Sequence, residues 1–217
     1  MYKILILTIL LFVSACTVDC GIDCYNKAVE EKDISYCNEI QSSLKDACII
    51  DVVKQTHEIN SCEKLSGNTK DQCIFLIATN KSDMQMCDQI NSADFKDNCI
   101  KKMATETLDF DSCERIDNVI TKSECQVEIA LETNAENCNP IRHVPLQNTC
   151  YYKWAYKNQD FNLCKLSFND IAGSSLCIRN VARLRENQSI CKEISIGQLQ
   201  KKCNEILIEY QYVSNKN

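Results

Sequence analysis

The chain is poor in glycine, proline and histidine. Its 217 residues contain four Gly, two Pro and two His, whereas ordinary usage predicts roughly 15 Gly and 11 Pro. Because β-sandwiches and barrels need both residues at their turns, the shortage argues against a turn-rich β fold and favours helices joined by polar turns. With only His57 and His143 in the chain, general-base catalysis and histidine-rich metal sites have little support.

Clusters of basic residues are also lacking, and the formal net charge is -6 with a sequence pI near 5.1. We therefore expect no nucleic acid partner, since proteins that bind nucleic acid rely on basic patches. Hydrophobic residues make up 45% of the chain and charged residues 25%. This balance is typical of a folded protein and not of a disordered one.

Cysteine is unusually frequent, with 17 in the chain. Such a number indicates a disulfide scaffold in an oxidising compartment. The first of them, Cys16, follows an apolar segment from Ile4 to Val13, with Lys3 before it. This segment is too short to span a bilayer but suits the core of a signal peptide. If Cys16 is set aside, an even number remains, enough for eight disulfides.

The apolar segment ends in Val13-Ser14-Ala15-Cys16, which resembles the lipobox of prokaryotic lipoproteins. The resemblance implies that residues 1–15 are a removable signal peptide and that Cys16 receives a lipid. Residues 16–32 would then form a lipidated N-terminus and a half-repeat cap. It also implies an extracytoplasmic protein that is held to a membrane by its lipid. The alternative is an ordinary signal peptide, with Cys16 in a disulfide.

The cysteines after Cys24 form two interleaved series with steps of 25 to 27 residues. The first series is Cys37, Cys62, Cys87, Cys113, Cys138, Cys164 and Cys191. The second series is Cys48, Cys73, Cys99, Cys125, Cys150, Cys177 and Cys203. A constant period of this length is typical of repeat proteins built from stacked supersecondary units.

Other residue types keep the same register. The residue four positions before a first-series cysteine is Asp or Asn in six of seven repeats, which predicts the N-cap of a short first helix. The residue two positions before a second-series cysteine is Asp, Asn or Ser in six of seven repeats, which predicts the N-cap of a second helix. A large apolar residue followed by Ala later in that helix predicts close helix packing.

These patterns predict an all-α fold, a right-handed α-solenoid of about seven short helix-loop-helix repeats that forms one domain over residues 33–217. The rise of about 1.5 Å per residue places the two cysteines of one repeat at nearly the same level along the helix axis. Cysteines paired across the junction between repeats would have Cα atoms too far apart for a disulfide. The predicted pairs are Cys37–Cys48, Cys62–Cys73, Cys87–Cys99, Cys113–Cys125, Cys138–Cys150, Cys164–Cys177 and Cys191–Cys203. Cys20–Cys24 is left over, and can close only if Gly21 interrupts the helix between them.

The two-helix plan resembles tetratricopeptide-like repeats in architecture alone, because the period here is shorter. The repeat with its internal disulfide resembles the cysteine-rich helical-hairpin repeats of archaeal-type exported proteins. That resemblance covers residues 33–210 and implies no activity.

Repeat five carries the candidate binding residues. It contains both prolines, Pro140 and Pro145, and the only Trp of the chain. The candidates are Arg142, His143, Tyr151, Tyr152, Trp154 and Tyr156. Aromatic residues and Arg are common binding anchors, although Trp154 also occupies a position that other repeats fill with a core residue.

The sequence therefore predicts a non-catalytic binding or structural module at the cell surface, with a protein, peptide or glycan as ligand. We expect no cofactor, no metal and no catalytic residue, because cysteines 11 to 13 positions apart lack the close pairs typical of zinc sites. The alternatives are a surface enzyme or a carbohydrate-binding protein with a site around repeat five, and a metal-storage protein.

Overall fold

The computed structural model describes residues 20–41, 43–167 and 171–214, and over these residues every regular element is helical. The all-α prediction is confirmed. The predicted signal peptide and the lipid acceptor Cys16 lie outside the described residues. The chain divides after Leu65 into two compact units. The first contains α1 (Gly21–Glu31), α2 (Ser35–Asn38), α3 (Leu44–Thr56) and a 3₁₀ turn at Ile59–Lys64.

The second unit repeats one plan, in which a short element is followed by a long helix. The long helices are α4 (Gly67–Lys81), α5 (Ala93–Thr107), α6 (Val119–Glu132), α7 (Val144–Asn158), α9 (Ile171–Leu184) and α10 (Gly197–Ser214). The short elements are 3₁₀ turns at Met84–Gln89, Asp111–Arg115, Ala135–Cys138 and Gln188–Glu193, and the helix α8 (Asn162–Ser167). Each long helix packs against the next one along the chain. The predicted helix-loop-helix repeats are therefore present.

Disulfides join the short element of a repeat to its long helix. The pairs are Cys37–Cys48, Cys87–Cys99, Cys113–Cys125, Cys138–Cys150, Cys164–Cys177 and Cys191–Cys203, with Cα–Cα distances of 5.5 to 5.9 Å. Cys62 and Cys73 are disulfide-bonded too. All fourteen of these cysteines have 0% exposure, so the disulfides belong to the core and not to the surface.

A further disulfide joins Cys20 to Cys24 at the start of α1. Cys20 precedes the helix, and Gly21 begins it with a positive φ of 45°. Side chains with a Cβ rarely adopt that conformation, which Gly adopts readily. Gly21 therefore provides the interruption that the sequence required, and the two Cα atoms lie 5.4 Å apart.

The Asp and Asn side chains predicted at the start of the short elements do accept backbone hydrogen bonds there. Asp83, Asn134 and Asn187 are the N-caps themselves, while Asp33 and Asp109 stand one residue before the N-cap. In six repeats the Asp or Asn side chain accepts a hydrogen bond from a backbone N–H two or three residues later. These acceptors are Asp33, Asp83, Asp109, Asn134, Asp160 and Asn187. Each bond satisfies an N–H group that has no partner inside the first helical turn.

The predicted N-caps of the long helices are wrong. Helix α4 begins at Gly67 and α5 at Ala93, in each case four residues before the predicted cap, Asp71 or Asp97. Both aspartates therefore lie in the second turn, and they are 2% and 4% exposed. A buried carboxylate needs hydrogen-bond donors, and here those donors come from another repeat.

The buried aspartates bind the loop that leads into the next long helix. The two carboxylate oxygens of Asp71 accept hydrogen bonds from the backbone N–H groups of Asn91 and Ser92, at 3.0 and 2.8 Å. Asp97 makes the same pair of bonds with the two residues before α6, at 3.1 and 2.9 Å. Each carboxylate thus ties one repeat to the next through two charge-assisted bonds.

Left-handed residues lead from the long helices to the short elements. The residues with φ of 49° to 57° are Lys32, His57, Ser82, Leu108, Gln159 and Glu186. After five of these six residues, the N–H of the next residue returns to a buried Ala carbonyl, as in Asp83 to Ala78 at 3.0 Å and Asp109 to Ala104 at 2.9 Å. This is a Schellman motif, which usually has Gly at the left-handed position. The repeats make these turns without Gly, which explains why the chain needs so little of it.

We expect Asp109→Ala to lower the free energy of unfolding by about 1 kcal/mol at neutral pH, because a cap is lost. Hydrogen bonds donated by Ser112 hold the pKa of the Asp109 carboxyl below its usual value. Such a group contributes stability above its unfolded-state pKa, roughly 3.9, and loses that contribution as the pH falls through the lower folded-state pKa. In urea unfolding, the difference between variant and wild type should therefore shrink at low pH.

The matched control is Asp109→Asn, because Asn134 and Asn187 fill the same cap position in two other repeats. This variant keeps an acceptor oxygen and removes the charge. Its stability at neutral pH should lie between that of Asp109→Ala and that of the wild type. Equal losses for the Ala and Asn variants at pH 7 would contradict a capping role.

Candidate functional site

Helix α7 carries four of the six candidate binding residues, and two of them are used in packing. Tyr151 is buried, its hydroxyl donates a hydrogen bond to Oδ1 of Asn139, and burial raises its pKa. Trp154 lies against the core cluster of α6 and α7, and its Nε1–H donates to the carbonyl of Ala130 at 3.0 Å. Both side chains therefore connect α7 to its neighbours, with their polar atoms occupied within the protein.

The other two, Tyr152 and Tyr156, form a pair on the opposite side of α7. Their ring centroids are 6.3 Å apart with an interplanar angle of 26°. The hydroxyl of Tyr152 accepts a hydrogen bond from Nδ2 of Asn180 on α9 at 3.0 Å. This bond holds the half-buried Tyr152, while Tyr156 remains 42% exposed. The result is an ordered aromatic surface with one open ring.

The remaining candidates lie at the opposite end of α7. The carbonyl of His143 accepts the first backbone hydrogen bonds of the helix, from Leu146 and Gln147 at 2.9 Å. Its Nδ1 is buried and has no hydrogen-bond partner in the described part of the chain. Nine residues separate His143 from Tyr152 along the helix, about 13 Å of rise. The histidine and the tyrosine pair therefore do not share a surface.

Arg142 is exposed and lines a small pocket of about 90 Å³ between repeats four and five. The acidic residue of this pocket, Glu114, is already bound by the Lys122 ammonium at 3.4 Å and by Nε2 of Gln126 at 2.8 Å. Its carboxylate is thus held as part of a structural contact. The pocket and the tyrosine pair are separate features, so the six candidates do not converge on one site.

Helices α7 and α9 share a charge pattern that the sequence reasoning missed. Helix α7 contains Lys153 and Lys157, helix α9 contains Arg179 and Arg183, and neither contains an acidic residue. Every other helix of eleven or more residues contains at least one. The signal was visible in each segment, but its meaning depends on the packing of α7 against α9.

Lys153 follows Tyr152 in α7, and Arg183 lies one helical turn after Asn180 in α9. Lys157 lies elsewhere, since its ammonium donates to the carbonyl of Leu131. Lys153 and Arg183 are exposed, and neither forms an ion pair with a described residue. Arg183 occupies the position in α9 that Tyr156 occupies in α7, six residues after the second cysteine of its repeat. We call the surface formed by Tyr152, Lys153, Tyr156, Asn180 and Arg183 the α7–α9 face.

On the equivalent surface of α5 and α6, the positive charge is neutralised by carboxylates of the neighbouring helix. Lys101 on α5 contacts Glu124 and Glu128 of α6, both at 2.9 Å. Burial alone would lower the pKa of Lys101, but hydrogen bonding to the two carboxylates outweighs it and raises that pKa. The α7–α9 face offers its cations no such partners on either helix, so they remain available to an external anion.

One group of metal-ligating side chains comes together in the described part of the chain, and it belongs to the first unit. It consists of Cys20, Cys24 and Glu39, whose ligand atoms lie within 4.8 Å of one another. The two cysteines are joined as a disulfide.

Comparison with known proteins yields no relatives: no family model matches the chain, and neither a curated protein nor a solved structure shows significant similarity to it. Among the described residues, no helix is both long and apolar enough to cross a membrane. The abundance of disulfides indicates an oxidising, extracytoplasmic environment.

Proposed function

We propose that this protein is an exported, lipid-anchored binding module whose α7–α9 face binds an acidic segment of a protein partner. Its repeats would form a right-handed α-solenoid of about seven members. Cys16 would carry the lipid after removal of residues 1–15. The structure would act as a rigid support and not as an enzyme.

The export and anchoring proposal is supported by the Val13-Ser14-Ala15-Cys16 segment and by the cysteine count. Sixteen of the seventeen cysteines are disulfide-bonded in the structure, which leaves Cys16 as the one available for a lipid. A structural free thiol would be unusual in an oxidising compartment.

The α7–α9 face carries the binding proposal. It joins an exposed Tyr to two unpaired cations, in a protein whose net charge is -6. Tyr and Arg, together with Trp, are enriched among the residues that contribute most to binding at protein interfaces. The lack of carboxylates on both helices selects against basic partners, while the rest of the surface repels acidic ones. This combination favours one acidic segment docking at one place.

The test uses the full chain in detergent and a poly-glutamate peptide as probe. We expect binding that weakens as salt is added, because exposed cations dominate the contact. The double variant Lys153→Glu/Arg183→Glu should bind at least about tenfold more weakly, and Tyr156→Ala several-fold more weakly. The readout is the dissociation constant measured by fluorescence anisotropy of a labelled peptide.

The matched control is Lys81→Glu/Lys192→Glu, which changes the net charge by the same amount at exposed positions elsewhere. Its affinity should stay within about twofold of the wild type. If both double variants lost the same affinity for the peptide, the overall charge of the protein would explain the loss, and the proposed site would be overturned. Equal binding of a polyuronate would favour the carbohydrate-binding alternative instead.

A further inference from the structure

The disulfide at the start of α1 differs from all the others in its surroundings. Cys20 is half-buried and Cys24 is 8% exposed, whereas the fourteen repeat cysteines have 0% exposure. Oε2 of Glu39 lies 3.6 Å from Sγ of Cys24 and 4.0 Å from Sγ of Cys20. A disulfide sulfur has no proton to donate, so this carboxylate gains no hydrogen bond from the oxidised pair.

We propose that Cys20–Cys24 is a reducible disulfide, and that its two thiolates and Glu39 bind a divalent cation of the zinc type. The proposal concerns the first unit and stands independently of the binding function of the α7–α9 face. The metal site would exist only when Cys20 and Cys24 are reduced.

The reductant is a dithiol. One of its thiolates attacks Sγ of the more accessible Cys20, the S–S bond breaks, and Cys24 leaves as a thiolate. The second thiol of the reductant then attacks its own sulfur in the mixed disulfide and releases Cys20. Two electrons pass to the protein, two protons are released when both cysteines stay ionised, and the reductant becomes a disulfide. The buried repeat disulfides give an attacking thiolate no access.

The reduced site has the donors that zinc prefers. The Cα atoms of Cys20 and Cys24 lie only 5.4 Å apart, because Gly21 interrupts the helix between them, so both sulfurs can reach one ion. The helix N-terminus favours the thiolate form of cysteines placed there. Two thiolates and the Glu39 carboxylate would repel one another without a cation between them. Together they provide three ligands of a four-coordinate ion and leave one position for water or a further ligand.

The first experiment tests selective reduction of the full chain. Limited dithiothreitol is followed by alkylation and peptide mass spectrometry. We expect Cys20 and Cys24 to be modified at least tenfold faster than any repeat cysteine. Modification of the repeat cysteines at the same rate would overturn the proposal.

The second experiment measures cation binding with Zn²⁺ by equilibrium dialysis and with Cd²⁺ by its ultraviolet thiolate charge-transfer band. The reduced chain should bind one ion and the oxidised chain none. Glu39→Gln should weaken binding at least about tenfold, while Glu30→Gln, an exposed acid on α1, should leave it unchanged. Cys20→Ser/Cys24→Ser should abolish binding while the helical circular dichroism spectrum is retained. Unchanged affinity in Glu39→Gln, or an ion retained by the double serine variant, would refute the site.

Discussion

Replacing Asp97 by Ala is expected to lower the free energy of unfolding by about 3 kcal/mol. The buried carboxylate accepts two backbone hydrogen bonds from the loop before α6. A bond to a charged group contributes about 1.5 to 3 kcal/mol, and water partly replaces the lost acceptor because the loop residues are exposed. The measurement is urea unfolding with the disulfides intact, followed by the fluorescence of Trp154.

The control for this prediction lies on the same helix. Asp94 is in the first turn of α5 and is exposed, so Asp94→Ala should change stability by no more than about 0.5 kcal/mol. If the two alanine variants lose the same amount, the carboxylate of Asp97 does not tie the repeats together.

Changing Ser82, Leu108 and Gln159 to Gly in one variant is expected to raise the free energy of unfolding by about 2 kcal/mol. All three are exposed and have φ of 52° to 55°. A side chain at such a backbone conformation costs about 1 to 2 kcal/mol, and the greater freedom of Gly in the unfolded chain cancels part of the gain. Thermal and urea unfolding should both show the increase.

Repeat four offers a matched control for the glycine variant. Thr133 stands at the equivalent position but has φ of -109°, and its hydroxyl donates to the carbonyl of Ile129 at 2.8 Å. Thr133→Gly should therefore lower stability by about 1 kcal/mol. A gain from Gly at Thr133, or a loss from Gly at the three left-handed positions, would contradict the account of these junctions.

The features predictable from sequence are those that depend on neighbours along the chain. Asp83 and Asn187 cap elements that begin one residue later, so their role is visible in a short segment. The disulfides within repeats follow from helix geometry over a dozen residues, as for Cys113 and Cys125. Local chemistry of this kind needs no knowledge of the packing.

The features that could not be predicted depend on contacts between repeats. Asp97 resembles an N-cap because both roles require a carboxylate near the start of a helix, and only the next repeat distinguishes them. The left-handed junctions were hidden because Lys, Ser, Leu and Gln share no side-chain property at those positions.

Contacts between repeats also explain why the six candidate binding residues do not form one site. The aromatic residues of repeat five predict a binding site, but packing turns Trp154 toward α6 and leaves Tyr156 exposed. The partner of Tyr152 is Asn180, 28 residues away, which no local pattern could indicate. The absence of acidic residues from two adjacent helices becomes informative only when those helices are known to touch.

The disulfides have a consequence for how the protein is made. Those with assigned partners join cysteines at most 13 residues apart, and none of these loops encloses or crosses another. As an unfolded chain enters an oxidising compartment from its N-terminus, each pair can close before the next one arrives. Correct partners therefore meet first simply because they emerge together, and a chain with this many cysteines can mature in order with little need for isomerisation.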